Sequence, residues 1–324
     1  MLFDQSKHIH RESMEVKKIG KGHNDTFTIV VMPDTQEYYN FSVNEDDCFA
    51  SQVHWILNAE HEYSIKFVTH LGDIVKKDKH KYWKRARDLL LPIAEKYPFG
   101  LCVGNRDLKY KIGPDTKFCK YFSSKVFEDK SWYGGSFRNN RSSFQLIEVN
   151  SRPYMFIHLE INADDLSIEW ANEVINAHPQ HEVIIITHMF LGKLHRPIDQ
   201  LDKALGPVGV MTWKKCYQNI GNTPVQLWEK CFKKHGNIKM ILCGDQSFLQ
   251  SLHMQLVGDQ GNLVQVMMSD YGDGSFRLLN IDQKNNLLRV TTLSADGKKN
   301  INKTNLLRGQ QDHQFTLRWP TSNK

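Results

Sequence analysis

One recurrence constrains this chain more than any other feature: five nearly continuous apolar runs each stop abruptly at a polar turn. Thr26 to Met32 precedes Pro33-Asp34-Thr35-Gln36, and Ile65 to Leu71 ends in Gly72-Asp73. Phe99 to Val103 ends in Gly104-Asn105-Arg106-Asp107, His181 to Thr187 in His188, and Ile238 to Cys243 in Gly244-Asp245-Gln246-Ser247. Runs apolar along their whole length read as strands buried on both faces. Helical stretches separate them, about Asp46 to Asn58, His80 to Lys96, Ser167 to His178 and Pro224 to His235, with Ser167 the expected N-cap of the third.

A β-rich stretch, Trp132 to Leu159, interrupts this alternation. Four more strand-like runs follow Asp245: about Met254 to Val257, Val264 to Ser269, Phe276 to Asp282 and Leu287 to Leu293. Alternating strands and helices followed by consecutive strands predict an α/β fold of two sheets packed together and covered by helices. Residues 1–24 are polar and aperiodic and read as a flexible N-terminal arm, 25–296 as the domain, and 297–324 as a Lys/Asn/Gln-rich tail. The tail's apolar end, Phe315 to Trp319, is available to dock back onto the domain.

Composition narrows the classes. Of 324 residues, 40% are hydrophobic and 24% charged, which excludes a disordered, collagenous or coiled-coil chain. No apolar run approaches the roughly 20 residues a bilayer requires, and the first residues lack an apolar leader core. The expectation is a cytoplasmic protein with no membrane partner. Six cysteines stand singly with no C-x-x-C pair, so reduced thiols are expected. A net charge of +6 is weak evidence for nucleic acid and leaves that partner open. Fifteen histidines point by count towards metal chemistry.

Position carries more than composition. Ligands of open α/β sheets bind outside the carboxyl ends of the strands. Asp34, Asp73, Asn105, His188 and Asp245 should therefore converge from more than two hundred residues of chain. Singly, each has an ordinary reading as a helix cap or a core side chain. Five in order, three of them after glycine, form a pattern.

That order and its flanks resemble the calcineurin-like metallophosphoesterase superfamily, whose elements read D-x-H, G-D-x-x-D/N, G-N-H-D/E, a lone H and G-H-x-H. The match covers about residues 26–293. The resemblance implies a four-layer αββα sandwich of two mixed β-sheets and a dinuclear metal site. In that site Asp73 would bridge two divalent ions, Asp34 would serve the first, and Asn105 and His188 the second. A hydroxide held between the ions would attack the phosphorus of a mono- or diester. The implied substrate is a phosphorylated small molecule or phosphoprotein.

The departures are as informative. Gln36 replaces the first ligand histidine, Arg106 the histidine that serves as general acid or phosphate stabiliser, and Asp245 and Ser247 the two of G-H-x-H. Two readings compete: a decayed, catalytically impaired homologue that binds a phosphoryl ligand without turnover, or a rebuilt site. Gln36, Asp245 and Ser247 are all oxygen donors, and oxygen donors favour Mn²⁺ or Mg²⁺, with Ca²⁺, Zn²⁺ or Fe as alternatives. Arg106 cannot donate a proton readily near neutrality, but it can grip a phosphate bidentately. Asp107 and His70 are the candidate acids, each with a structural rival: a turn or cap role for Asp107, a packed strand position for His70. The Ser269-Asp270-Tyr271-Gly-Asp273-Gly segment with Arg277 is a candidate pocket loop, and Trp132-Tyr-Gly-Gly135 is either a substrate-facing loop or a hairpin tip. The Lys76 to Lys81 cluster reads as a solvated helix start that also raises the potential for an anionic substrate.

Overall fold

The computed structural model describes residues 25–38, 47–108, 116–161, 163–191, 221–245, 250–301 and 313–320. Residues 1–24, assigned above to an arm, lie outside them.

Among the described residues, thirteen strands form two mixed sheets. The first takes the order β13-β12-β11-β1-β2-β3: β1 is Thr26–Met32, β2 Ile65–His70, β3 Phe99–Leu101, β11 Phe276–Asp282, β12 Leu287–Leu293 and β13 Phe315–Arg318. The second takes the order β4-β5-β6-β7-β8-β10-β9: β4 is Tyr133–Phe137, β5 Ser142–Val149, β6 Arg152–Leu159, β7 Glu182–Thr187, β8 Ile238–Cys243, β9 Gln250–Val257 and β10 Leu263–Asp270. Four consecutive runs after Asp245, read as strands in the sequence, are β9 to β12.

Three apolar clusters make this a four-layer αββα sandwich. Phe27, Ile29, Val31 and Phe67 of one sheet meet Tyr154, Phe156, Ile184, Ile186 and Met240 of the other. Helices α1 (Cys48–Asn58) and α2 (His80–Lys96) cover the outer face of the first sheet. Helices α5 (Asp165–Ala177) and α6 (Pro224–Lys230) cover the second. Alternate residues of β1 thus enter different clusters, Ile29 facing the second sheet and Val30 the helices. This explains the uninterrupted apolar reading of the strand. Two short helices, α3 (Asn105–Leu108) and α4 (Lys117–Tyr121), follow β3.

The N-cap of α5 differs from the expectation. Asp164, not Ser167, accepts from the Ser167 backbone N–H, while the Ser167 hydroxyl turns inward to Glu160. Local spacing identified a helix start, but a carboxylate three residues upstream was the better acceptor. The tail end forms β13, antiparallel to β12, and the Trp319 indole N–H donates to Glu182 at 2.7 Å. No helix among the described residues is long and apolar enough to cross a membrane.

Register positions the site. Met32 lies opposite His70 and His70 opposite Leu101, so β1, β2 and β3 finish level. In the second sheet Ile186 lies opposite Leu242, and Cys243 opposite Met268. All these strands are parallel, so their following loops gather along one edge of the sandwich.

Candidate metal centre

Asp34 follows β1 in a buried loop, and neither of its carboxylate oxygens has a hydrogen-bond partner. Gly244, after β8, lies against it: a Cβ there would stand 2.4 Å from Asp34 Oδ1. Gly104 makes the same allowance for Asp73, whose Oδ1 would lie 2.2 Å from a Cβ at that position. Asp73 and Asp245 themselves adopt left-handed backbone conformations, with φ of 50° and 67°. Asp and Asn tolerate this region better than most residues, and such strain collects where a side chain must be aimed.

His188, wholly buried at the end of β7, stands at the centre. Its Nδ1 lies 2.8 Å from the Leu71 carbonyl, which can only accept, so Nδ1 carries a proton. The other nitrogen, Nε2, faces Asn105 Oδ1 at 3.2 Å, Asp73 Oδ1 at 3.4 Å and Asp245 Oδ1 at 3.5 Å. Asp34 Oδ1 lies 3.8 Å from Nδ1, on the other side of the ring. In the neutral tautomer, Nε2 and every oxygen around it are acceptors. If the Asn105 amide turned over, its nitrogen would instead donate to Asp73, Asp245 and Nε2 at 3.2–3.3 Å. The centre thus calls for positive charge or hydrogen, and the amide is a group able to respond to which one is present.

Electrostatics agree. Burial raises the Asp34 pKa well above the carboxylate range, Asp270 raises it further, and His188 partly opposes the shift. Burial also disfavours the His188 cation, but Asp73 and Asp34 outweigh that effect and hold its pKa well above the ordinary value. Without another cation the cage draws a proton onto His188. One ligand atom each from Asp34, Asp73 and His188 lies within 4.8 Å of the others, a spacing that ligands of one divalent ion can adopt.

The other candidates take distinct places. Gln36 is buried, and its Oε1 has no hydrogen-bond partner. Arg106 extends an exposed side chain while its backbone N–H donates to Asp73 Oδ1 at 2.8 Å. Asp107 lies beneath the site and accepts from the N–H groups of Ile74, Val75 and Gly104 at 2.9–3.3 Å. Its pKa is pushed up to about 8 by burial and by Asp73. Ser247 lies outside the described residues. His70 is a sealed link: Thr35 donates to the Ile74 carbonyl and accepts from His70 Nε2 at 3.0 Å, and the Gly72 N–H donates to His70 Nδ1. Burial pushes its pKa down to about 3, so it stays neutral and ties the Asp34 loop to the Asp73 loop.

Asp270, which the sequence placed only on a candidate pocket loop, stands against Asp34 itself. It is buried at the end of β10, two positions past Met268, as Asp245 is two past Cys243. Its effect on Asp34 exceeds that of any other charged group. The signal was present in the sequence as a sixth apolar run ending in Ser269-Asp270, without the glycine that marks three of the others. Tyr38 joins the two loops, its hydroxyl donating to the Tyr271 carbonyl.

No protein-family model matches the chain. It is 30% identical over 283 residues to the uncharacterized protein YvnB of Bacillus subtilis, covering 83% of this chain and 20% of that protein. The chain therefore spans about a fifth of the length of this curated relative. Its fold is similar to that of the purple acid phosphatase PPD1 from yellow lupin (Lupinus luteus) seeds, with a TM-score of 0.53, 12% identity, and coverage of 92% of this chain and 55% of that one. The 5′-nucleotidase precursor from Thermus thermophilus aligns with a TM-score of 0.46, 12% identity, and coverage of 91% and 55%. The sandwich thus shares the fold of the PPD1 purple acid phosphatase.

Proposed function

We propose that the chain is a divalent-metal-dependent phosphoric ester hydrolase with an oxygen-rich dinuclear site. The observation that carries this reading is the acceptor-only cage around His188, with both oxygens of buried Asp34 unpartnered. Burying an unpaired carboxylate is costly, and a bound cation removes the cost. Asp34, Gln36, Asp73, Asn105, His188 and Asp245 would hold the metal, with Ser247 as a further oxygen donor. Two hard cations, Mn²⁺ or Mg²⁺ by donor type, would supply Lewis-acid polarisation of the phosphoryl group and a lowered water pKa.

The chain's own residues do the rest. The Leu71 carbonyl fixes the His188 ring so that Nε2 faces the cage. Asp107 pins the backbone after Asp73 through the N–H groups of Ile74 and Val75, and its own turn through that of Gly104, and so orients the Asp73 carboxylate. Arg106, exposed beside Asp73, is free to take two phosphoryl oxygens in its fork and stabilise charge on them.

A second reading is favoured by a specific observation. His70 and Asp107 are both sealed into internal hydrogen bonds, and Arg106 is a poor acid. The chain would then be a catalytically impaired homologue that binds a phosphoryl ligand without turnover.

Elemental analysis with aryl phosphate mono- and diester turnover tests both readings. Bound metal and turnover abolished by Asp73→Asn and Asp34→Asn support hydrolysis. Bound phosphate without turnover under any divalent metal supports the binder, and the absence of metal refutes both.

A further inference from the structure

We infer that the substrate is a single strand of nucleic acid that tracks a basic ridge leading away from the metal centre. This deepens the phosphoesterase reading and rests on it. Residues 76–88 hold seven Lys and Arg against two Asp, a net +5 in a chain whose total is +6. The segment directly after the Asp73 loop is thus one locally basic stretch of the chain, as are residues 297–324, with six Lys and Arg against one Asp. Lys76 is three residues from Asp73, at most about 11 Å along an extended chain.

Part of this charge is neutralised locally. Lys76 pairs with Glu37 at 2.7 Å, Lys84 with Asp88 at 2.8 Å, and Arg85 with Asp47. Lys117 reaches Asp78 at 2.9 Å and so ties α4 to the start of α2. Lys77, Lys79 and Lys120 are exposed and have no carboxylate within ion-pair distance among the described residues. No acidic side chain lies in the first turn of α2 to offset them. The ridge continues towards the centre through α4 and α3, which pack together, to exposed Arg106.

Two aromatic rings sit among these cations. His80 Nδ1 and the Tyr121 hydroxyl are 2.9 Å apart, with ring centroids 6.0 Å apart, and both rings reach the surface. Cations that follow a backbone and rings that accept stacked bases form the recognition chemistry of single strands. A small phosphate ester or a phosphorylated side chain brings its charge to the centre alone, where Arg106 suffices. Only a ligand with charge repeated along its length uses Lys77, Lys79 and Lys120 as well. In the reaction a P–O bond to water oxygen forms, one ester P–O bond breaks, and the water proton ends on the leaving oxygen.

The test is fluorescence anisotropy of a labelled oligothymidylate with EDTA present, across a salt series. The Lys77→Glu/Lys79→Glu/Lys120→Glu variant should bind at least about ten-fold more weakly, with the salt slope reduced by about 2. Lys66→Glu/Lys234→Glu/Lys284→Glu, the same charge change at the opposite end of the strands, should retain affinity. The glutamine version of the ridge variant repeats the measurement if the glutamate version does not fold by circular dichroism. Equal loss in both glutamate variants, or no loss in the ridge variant, overturns the proposal. So does preferential capture of a phosphorylated peptide by the ridge. Aryl phosphodiester turnover separates the two readings: a ridge variant that loses only oligonucleotide affinity supports the strand. Ridge-dependent binding by a wild-type protein that cleaves no ester keeps the surface and refutes the hydrolase.

Discussion

His188 donates its Nδ1 proton to the Leu71 carbonyl across 2.8 Å, joining two loops from different sheets. That bond decides which nitrogen faces the carboxylates. The cage is therefore open to a metal on a neutral Nε2 or to a proton on a charged ring, and the two would compete.

Metal affinity should rise with pH. The pKa values of His188 and Asp34 are both held well above their ordinary values, so the metal-free site retains protons that a cation must displace. Titration calorimetry in buffers of different ionisation heats should show proton release on Mn²⁺ binding, decreasing as pH rises. No release between neutral and mildly acid pH would contradict this arrangement.

Asp34→Asn should stabilise the metal-free protein while removing its stabilisation by metal. The folded Asp34 pKa is raised, so its charged form works against folding once pH exceeds the unfolded carboxylate range. Relief of about 1 kcal/mol would raise Tm by roughly 2–4 °C. Thermal melts with EDTA and with Mn²⁺ read the two effects separately.

Asp270→Asn should weaken metal binding by about ten-fold without abolishing it, the scale of a group that supports a ligand from behind. Asp73→Asn should abolish it. Equal losses in the two variants would make Asp270 a direct ligand.

Arg106→His should restore a titratable donor beside Asp73. Turnover of alkyl phosphates should rise by up to about 100-fold relative to aryl phosphates, and the pH profile should gain an acid limb. Arg106→Gln should lower the turnover of both classes and raise KM through the lost phosphate grip.

Acid should destabilise the fold through His70 and His158. Burial depresses both from 6.5 to about 3, so each disfavours its cation in the folded state. Their contribution is complete above about pH 6.5 and is lost as pH falls towards 3. Denaturant melts at pH 7 and pH 5 should show the drop, and His158→Gln should shrink it. His158 accepts from or donates to Thr69 at 2.8 Å, and the amide can keep that bond.

Much of this was legible in the chain itself. Thr26–Met32 and Ile238–Cys243 are strands over the ranges their apolar runs suggested, because burial on both faces leaves a continuous signature. Asp34, Asp73, Asn105, His188 and Asp245 could be named from strand ends, since parallel register brings such ends level. The Leu71 carbonyl could not, because any residue supplies that group. Nor could Asp270 be separated from an ordinary Asp-Gly turn segment.

Sequence alone determined the strands and the mainly oxygen-donor residues that close them, because these depend on residue type and local periodicity. Tertiary structure decided which of those groups face one another. His70 and Asp107 were candidate acids until packing sealed them into internal hydrogen bonds. Burial and direction are properties of the neighbours a residue meets, and those neighbours come from chain segments far apart in sequence.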